Sequence, residues 1–96
     1  MNLEITSRHF HASEDLKLLV KDRISKINKF NVELTRCHVI LDKQNPLEES
    51  VEIVAHSKGH EFISHDSSEF FEKSIANAVK KLSIQIIKHH DKSLGR

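Results

Sequence analysis

Residues 70–92 read F-F-E-K-S-I-A-N-A-V-K-K-L-S-I-Q-I-I-K-H-H-D-K, and this stretch decides how the chain folds. Phe71, Ile75, Ala78, Val79, Leu82 and Ile86 recur at the spacing of one helix face. At roughly 100° per residue they fill an arc of about 100°, the width of a stripe that faces a core. Lys73, Asn77, Lys80, Lys81, Lys88 and Lys92 fall on the opposite arc. The spacing therefore predicts a helix that is apolar on one side and carries a row of ammonium groups on the other. Such a ridge suits a polyanion outside the domain, and we read that partner as RNA.

Working back toward the N-terminus, residues 49–56 set Val51, Ile53 and Ala55 against Glu52, Val54 and His56, Ser57-Lys58-Gly59 reads as a tight turn, and residues 60–65 return as a fourth strand. Residues 36–41 are rich in β-branched side chains and are followed by the turn signal Asn45-Pro46. Residues 2–7 alternate Leu3 and Ile5 with Glu4 and Thr6, as a half-buried strand does. Between these strands, Ser13 followed by Glu14 and Asp15 marks a helix start. Leu16, Leu19, Val20, Ile24 and Ile27 form the stripe of that first helix, expected to end near Phe30. Arg23 falls between Leu19 and Ile27 on the wheel, so it must snorkel outward or meet an acidic partner. Ser67, Ser68 and Glu69 are expected to start the second helix, and residues 89–96 to form a frayed basic end.

The order is β-α-β-β-β-α, with a mostly antiparallel four-stranded sheet and one βα crossover between the first two strands. Both helices are expected on one face, an α+β two-layer sandwich similar to a double-stranded-RNA-binding domain. At 96 residues, 38% hydrophobic and 30% charged, residues 1–96 make a single soluble domain with one modest core. No apolar run is long enough for a bilayer, and the N-terminus lacks the order of a secretory signal. The single cysteine, Cys37, precludes an internal disulfide and suits a reducing compartment, so a cytoplasmic protein with no membrane partner is expected. The net charge of +1 hides a division: residues 13–30 carry +2 and 67–96 carry +3, whereas 31–66 carry −4. That asymmetry is the footprint of an oriented polyanion binder; a solvated, lysine-decorated surface is the plainer alternative.

Other chemistries find little support. Among eight histidines, His9 and His11 are two apart and His89 and His90 adjacent, neither being the i, i+4 pair of a zinc hydrolase. No metal and no cofactor are expected, and His38, His56 and His65 read as polar positions of strands. Cys37 beside Val39 reads as a buried, inert thiol. With only Gly59 and Gly95 there is no phosphate-cradling loop, and Glu48 and Glu49 point to opposite strand faces. An enzyme is not expected. Base stacking is poorly provided for, since the sheet offers Phe62 but no aromatic pair. Bound RNA would then be read through phosphates and shape, with salt-sensitive affinity.

Four segments resemble the ribosome hibernation factors, the family of the short hibernation promoting factor, the ribosome-associated inhibitor and sigma-54 modulation protein. They are Leu3-Glu4-Ile5-Thr6-Ser7, Asp22-Arg23-Ile24-Ser25-Lys26-Ile27-Asn28-Lys29-Phe30, His38-Val39-Ile40-Leu41-Asp42-Lys43, and the helix-two pattern Lys80-Lys81-Leu82, Gln85, Lys88-His89. The resemblance implies the β-α-β-β-β-α fold and a protein that binds the ribosome small subunit over the tRNA and mRNA positions. It implies contacts to 16S rRNA through Arg23, Lys26 and Lys29 on helix one and Lys80, Lys81, Lys88 and Lys92 on helix two. Translation would be blocked in stationary or stressed cells. Ending at Arg96, the chain looks like the short form, itself monomeric, which promotes inactive ribosome dimers alongside a ribosome modulation factor.

Three positions depart from the family pattern. Ile84 stands where arginine is usual, His90 where lysine is common, and Glu72 where tyrosine is expected. One arginine–phosphate contact is worth about 1–3 kcal/mol, so weaker or reoriented binding is expected, with Ile84 and Phe70 free to meet a protein surface. The alternative reading is a general double-stranded RNA-binding module without ribosome specificity. A small ferredoxin-like enzyme would need another strand after helix two, for which only residues 89–96 remain.

Overall fold

Strict alternation along four segments puts Leu3 and Ile5, then Cys37, Val39 and Leu41, then Val51, Ile53 and Ala55, then Phe62 and Ser64 on one side of a sheet. The structure, a computed structural model, describes residues 2–27 and 33–93, with side chains described as far as His89 in the last helix. Its elements are β1 (Asn2–Arg8), α1 (Glu14–Ser25), β2 (Leu34–Asn45), β3 (Glu48–Ser57), β4 (His60–Ser68) and α2 (Phe71–Ser93). The strands lie in the order β1-β2-β3-β4. β1 runs parallel to β2, with Ile5 opposite Val39. The other pairings are antiparallel, with Val39 opposite Ile53 and Ile53 opposite Ser64. This register stacks the inward residues in rows, and a slip of one residue would turn every row to solvent.

Both helices cover that inward face, as the periodicity predicts. On α2, Ile75, Ala78, Leu82 and Ile86 are buried, and Val79 packs partly buried beside them. α1 adds Val20 and Ile24, and Ile27 follows in the next turn; all join one core. Cutting Leu82 back to alanine would cost about 2–5 kcal/mol, because it empties the centre of this layer. Small residues let α2 sit close to the strands. Ser64 Oγ donates to the Ala78 carbonyl at 2.9 Å and Ser74 Oγ to the Glu49 carbonyl at 2.7 Å, so both buried hydroxyls are satisfied.

Several boundaries differ from the expected ones. Ser13 caps α1 as foreseen, its Oγ accepting from Leu16 N at 3.1 Å. The α-helix stops at Ser25 rather than near Phe30, which lies outside the described residues. Ser67 and Ser68 belong to β4, and α2 starts at Phe71. Its first amide is capped from another strand: Phe71 N donates to Glu49 Oε1 at 2.7 Å, an anion at the positive end of the helix dipole. The strands run longer than the alternation suggested because backbone pairing carries β2 to Asn45 and β4 to Ser68 through polar residues. Asn45 Oδ1 accepts from Leu47 N at 2.9 Å to close one turn, and Gly59, with φ of +75°, supplies the left-handed residue of the other.

Candidate nucleic-acid interface

The burial of the α2 stripe fixes which side chains look outward. Lys73, Lys80, Lys81 and Lys88 are all exposed, and Ile84 lies between Lys80 and Lys88 on the same arc, 45% exposed. Lys80 and Lys88 each lie four residues, about 6 Å along the axis, from Ile84. Among the described residues, Lys73, Lys80 and Lys88 form no ion pair. Their ammonium groups are available to an external anion.

Lys81 is different. Its Nζ donates to the His65 carbonyl at 2.9 Å and to Asp66 Oδ1 at 3.0 Å, and Asn77 Nδ2 donates to Asp66 Oδ2 at 3.1 Å. Gln85 Nε2 donates to the Ile63 carbonyl at 2.6 Å. Together, Lys81 and Gln85 fasten α2 to the outer edge of β4 and cover carbonyls that an edge strand would leave open. Burial raises the Asp66 carboxyl, but the hydrogen bonds from Lys81 and Asn77, with the charges of Lys81 and His65, outweigh it and leave the group below its ordinary value.

On α1 the cations are partly neutralised. Arg23, expected to need an acidic partner or an outward path, is half-buried and bonded to its neighbour Asp22, which also draws Lys26 Nζ to 3.6 Å. Arg23 and Lys73 line one groove of about 660 Å³ between the helices, floored by Leu16, Leu19 and Phe71 and rimmed by the exposed Phe70. The fold thus puts Arg23 of helix one and Lys73 of helix two, a residue outside the set implied by the resemblance, on the same groove, together with Glu49 and Glu72. The outward position of Lys73 on the α2 arc was the signal for it. Lys29 lies outside the described residues, and Lys92 is placed in α2 by its backbone alone.

The far end of α2 is tied down where fraying was expected. The His60 and His89 rings stack at 4.1 Å between centroids, with Phe62 edge-on to both, and the helix continues to Ser93. Phe62 is therefore a core and hairpin contact, 1% exposed, and not a base-stacking platform on the sheet. Cys37 is buried, and burial pushes its thiol up to about 11, as an inert core cysteine requires. Among the described residues no group of histidine, cysteine and carboxylate side chains is arranged to hold a metal, and no helix is long and apolar enough to cross a membrane.

A family model described as sigma 54 modulation protein / S30EA ribosomal protein matches residues 3–93. The chain belongs to that family. It is 25% identical over 96 residues to a ribosome hibernation promoting factor of Azotobacter vinelandii, covering 100% of this chain and 89% of the relative. Its fold is similar to that of a ribosomal subunit interface protein from Coxiella burnetii, with a TM-score of 0.83, 18% identity, and coverage of 95% of this chain and 99% of the other. The N-terminal domain of Protein Y from Thermus thermophilus matches equally well in TM-score, 0.83, at 18% identity and with coverage of 93% and 99%.

Proposed function

We propose that this chain is a ribosome hibernation factor. It binds the small subunit in the tRNA/mRNA channel, contacts 16S rRNA, inhibits translation in stationary phase or stress, and promotes or stabilises inactive ribosome dimers alongside a ribosome modulation factor. The observation that carries this reading is the exposed row Lys73, Lys80 and Lys88, without ion pairs among the described residues, on a helix anchored to a sandwich shared with the family. Each ammonium that meets a phosphate releases a condensed counterion, so binding is strong at low salt and insensitive to base identity. Inhibition follows from occupancy: a folded body of about 46 × 22 × 19 Å seated in the channel excludes tRNA and mRNA without any bond being made or broken. The protein acts in the cytoplasm, as a monomer and not as an enzyme.

Arg23, Lys26 and Lys29 on the first helix and Lys92 at the end of the second extend the same contact surface. Lys81 contributes by holding the helix in place more than by touching RNA. The test is translation of a reporter mRNA by purified ribosomes at one protein per ribosome. Synthesis should fall, and adding free double-stranded RNA in excess should not restore it. Full synthesis would overturn the proposal, and restoration by free duplex would favour a general double-stranded RNA binder.

A further inference from the structure

The helices cover one face of the sheet, and the other has no cover among the described residues. Its chemistry is the reverse of the helix side. The even-numbered residues of β1 and β3, those of β2 from Arg36 to Asp42, and the odd-numbered residues of β4 point there, whereas Leu34, beyond a register shift, is in the core. In the middle, Ile40, Val54 and Ile63 make an apolar patch, with Ile63 47% exposed. Around it stand Glu4, Asp42, Glu48, Glu52 and Glu61, against only Arg8 and Arg36. With its histidines neutral the face is net negative, while the helix side of the same thin molecule is net positive.

Three of these carboxylates have partners within the chain, and two form no ion pair among the described residues. His9 Nδ1 donates to Asp42 Oδ1 at 2.8 Å, and His56 lies 3.3 Å from Glu61. Glu48 accepts from Ser67 Oγ at 2.9 Å. Glu4 and Glu52 form no ion pair among the described residues. Asp42 and Glu48 also line a depression of about 270 Å³, shared with Gln44, Ser50, His65 and Ser67, whose walls are almost wholly polar.

We propose that this open face is a docking surface for an extended, arginine- and lysine-rich protein segment. A polyphosphate is repelled here, whereas a cationic side chain finds both halves of what it needs. Its alkyl stem can lie on Ile40, Val54 and Ile63 while its head reaches Glu52 or enters the depression beside Asp42 and Glu48. A guanidinium suits the depression, because carboxylates on two adjacent strands can accept from its fork. The molecule is then two-sided, with nucleic acid on the helices and basic protein on the sheet. This second partner goes beyond the proposed function and does not depend on it.

The test is an NMR titration of the isotopically labelled full chain with a short synthetic peptide of alternating arginine and valine, and separately with an RNA duplex. The peptide should shift the amides of Ile40, Val54, Ile63 and Ser67 saturably. The Glu48→Gln/Glu52→Gln double variant should weaken it by at least about tenfold, since charged hydrogen bonds are lost. Ile63→Lys, which touches no core position, should weaken it likewise, and Lys80→Glu should leave it unchanged. Undiminished binding by the double variant, or RNA shifting the same amides, would overturn the proposal.

Discussion

Lys81 Nζ and Asp66 Oδ1 lie 3.0 Å apart across the seam between α2 and β4, so the most prominent lysine pair of the chain has two different jobs. Lys80 is exposed with no ion-pair partner among the described residues, and Lys81 holds the helix against the sheet edge. Replacing each by methionine separates the two. Lys81→Met should cost about 1 kcal/mol, lowering Tm by about 4–8 °C. Lys80→Met should leave Tm unchanged and weaken ribosome binding. Thermal melts and ribosome titrations of the two variants check this; equal melts would contradict it.

The same contact has a pH signature. Asp66 sits below its ordinary value in the folded chain, so its contribution is fully present above the unfolded carboxyl's range of about 3.9. It fades as the pH falls from there through the folded value. The Tm gap between the natural chain and Asp66→Asn should therefore be widest near neutrality and close in strong acid. A gap that stays constant from neutral to strongly acidic pH would show that the carboxylate is not what Lys81 and Asn77 hold.

Cys37 provides a probe of the core. A thiol pushed up to about 11 and shielded by the sheet should not react with a disulfide reagent at mildly alkaline pH in the folded state. Reaction should appear only with unfolding, at a rate that tracks denaturant. Rapid labelling of the native protein would place Cys37 nearer the surface than the β2 register allows.

Ile84 interrupts the cationic row between Lys80 and Lys88 and is exposed enough to accept a longer side chain. Ile84→Arg should tighten ribosome binding and steepen its salt dependence by about one counterion, because arginine there can meet a phosphate. A titration with no gain in affinity would mean that the row does not face RNA at this turn.

The sandwich was readable from period alone, because its core residues repeat at the helix and strand intervals that burial demands. The stripe from Phe71 to Ile86 and the alternation of Val51, Ile53 and Ala55 each allow only one inward face. What periodicity could not show were contacts made across elements. Glu49 caps a helix that starts 22 residues later, and Asp66 meets a lysine 15 residues away, so neither leaves a local spacing signal. The end of α2 looked loose for the same reason, since His89 is held by His60 from a different element. The sequence identified the outward arc of α2, but its spacing could not distinguish Lys81, engaged with Asp66, from Lys80, which has no ion pair among the described residues.

The decisive measurement is a density-gradient sedimentation profile of purified ribosomes with and without the protein, at low and at high salt. The protein should move with single ribosomes at low salt, dissociate as salt rises, and shift ribosomes into dimers when a modulation factor is present. If it stayed at the top of the gradient at low salt, the fold assignment would stand and the ribosome-binding function would not.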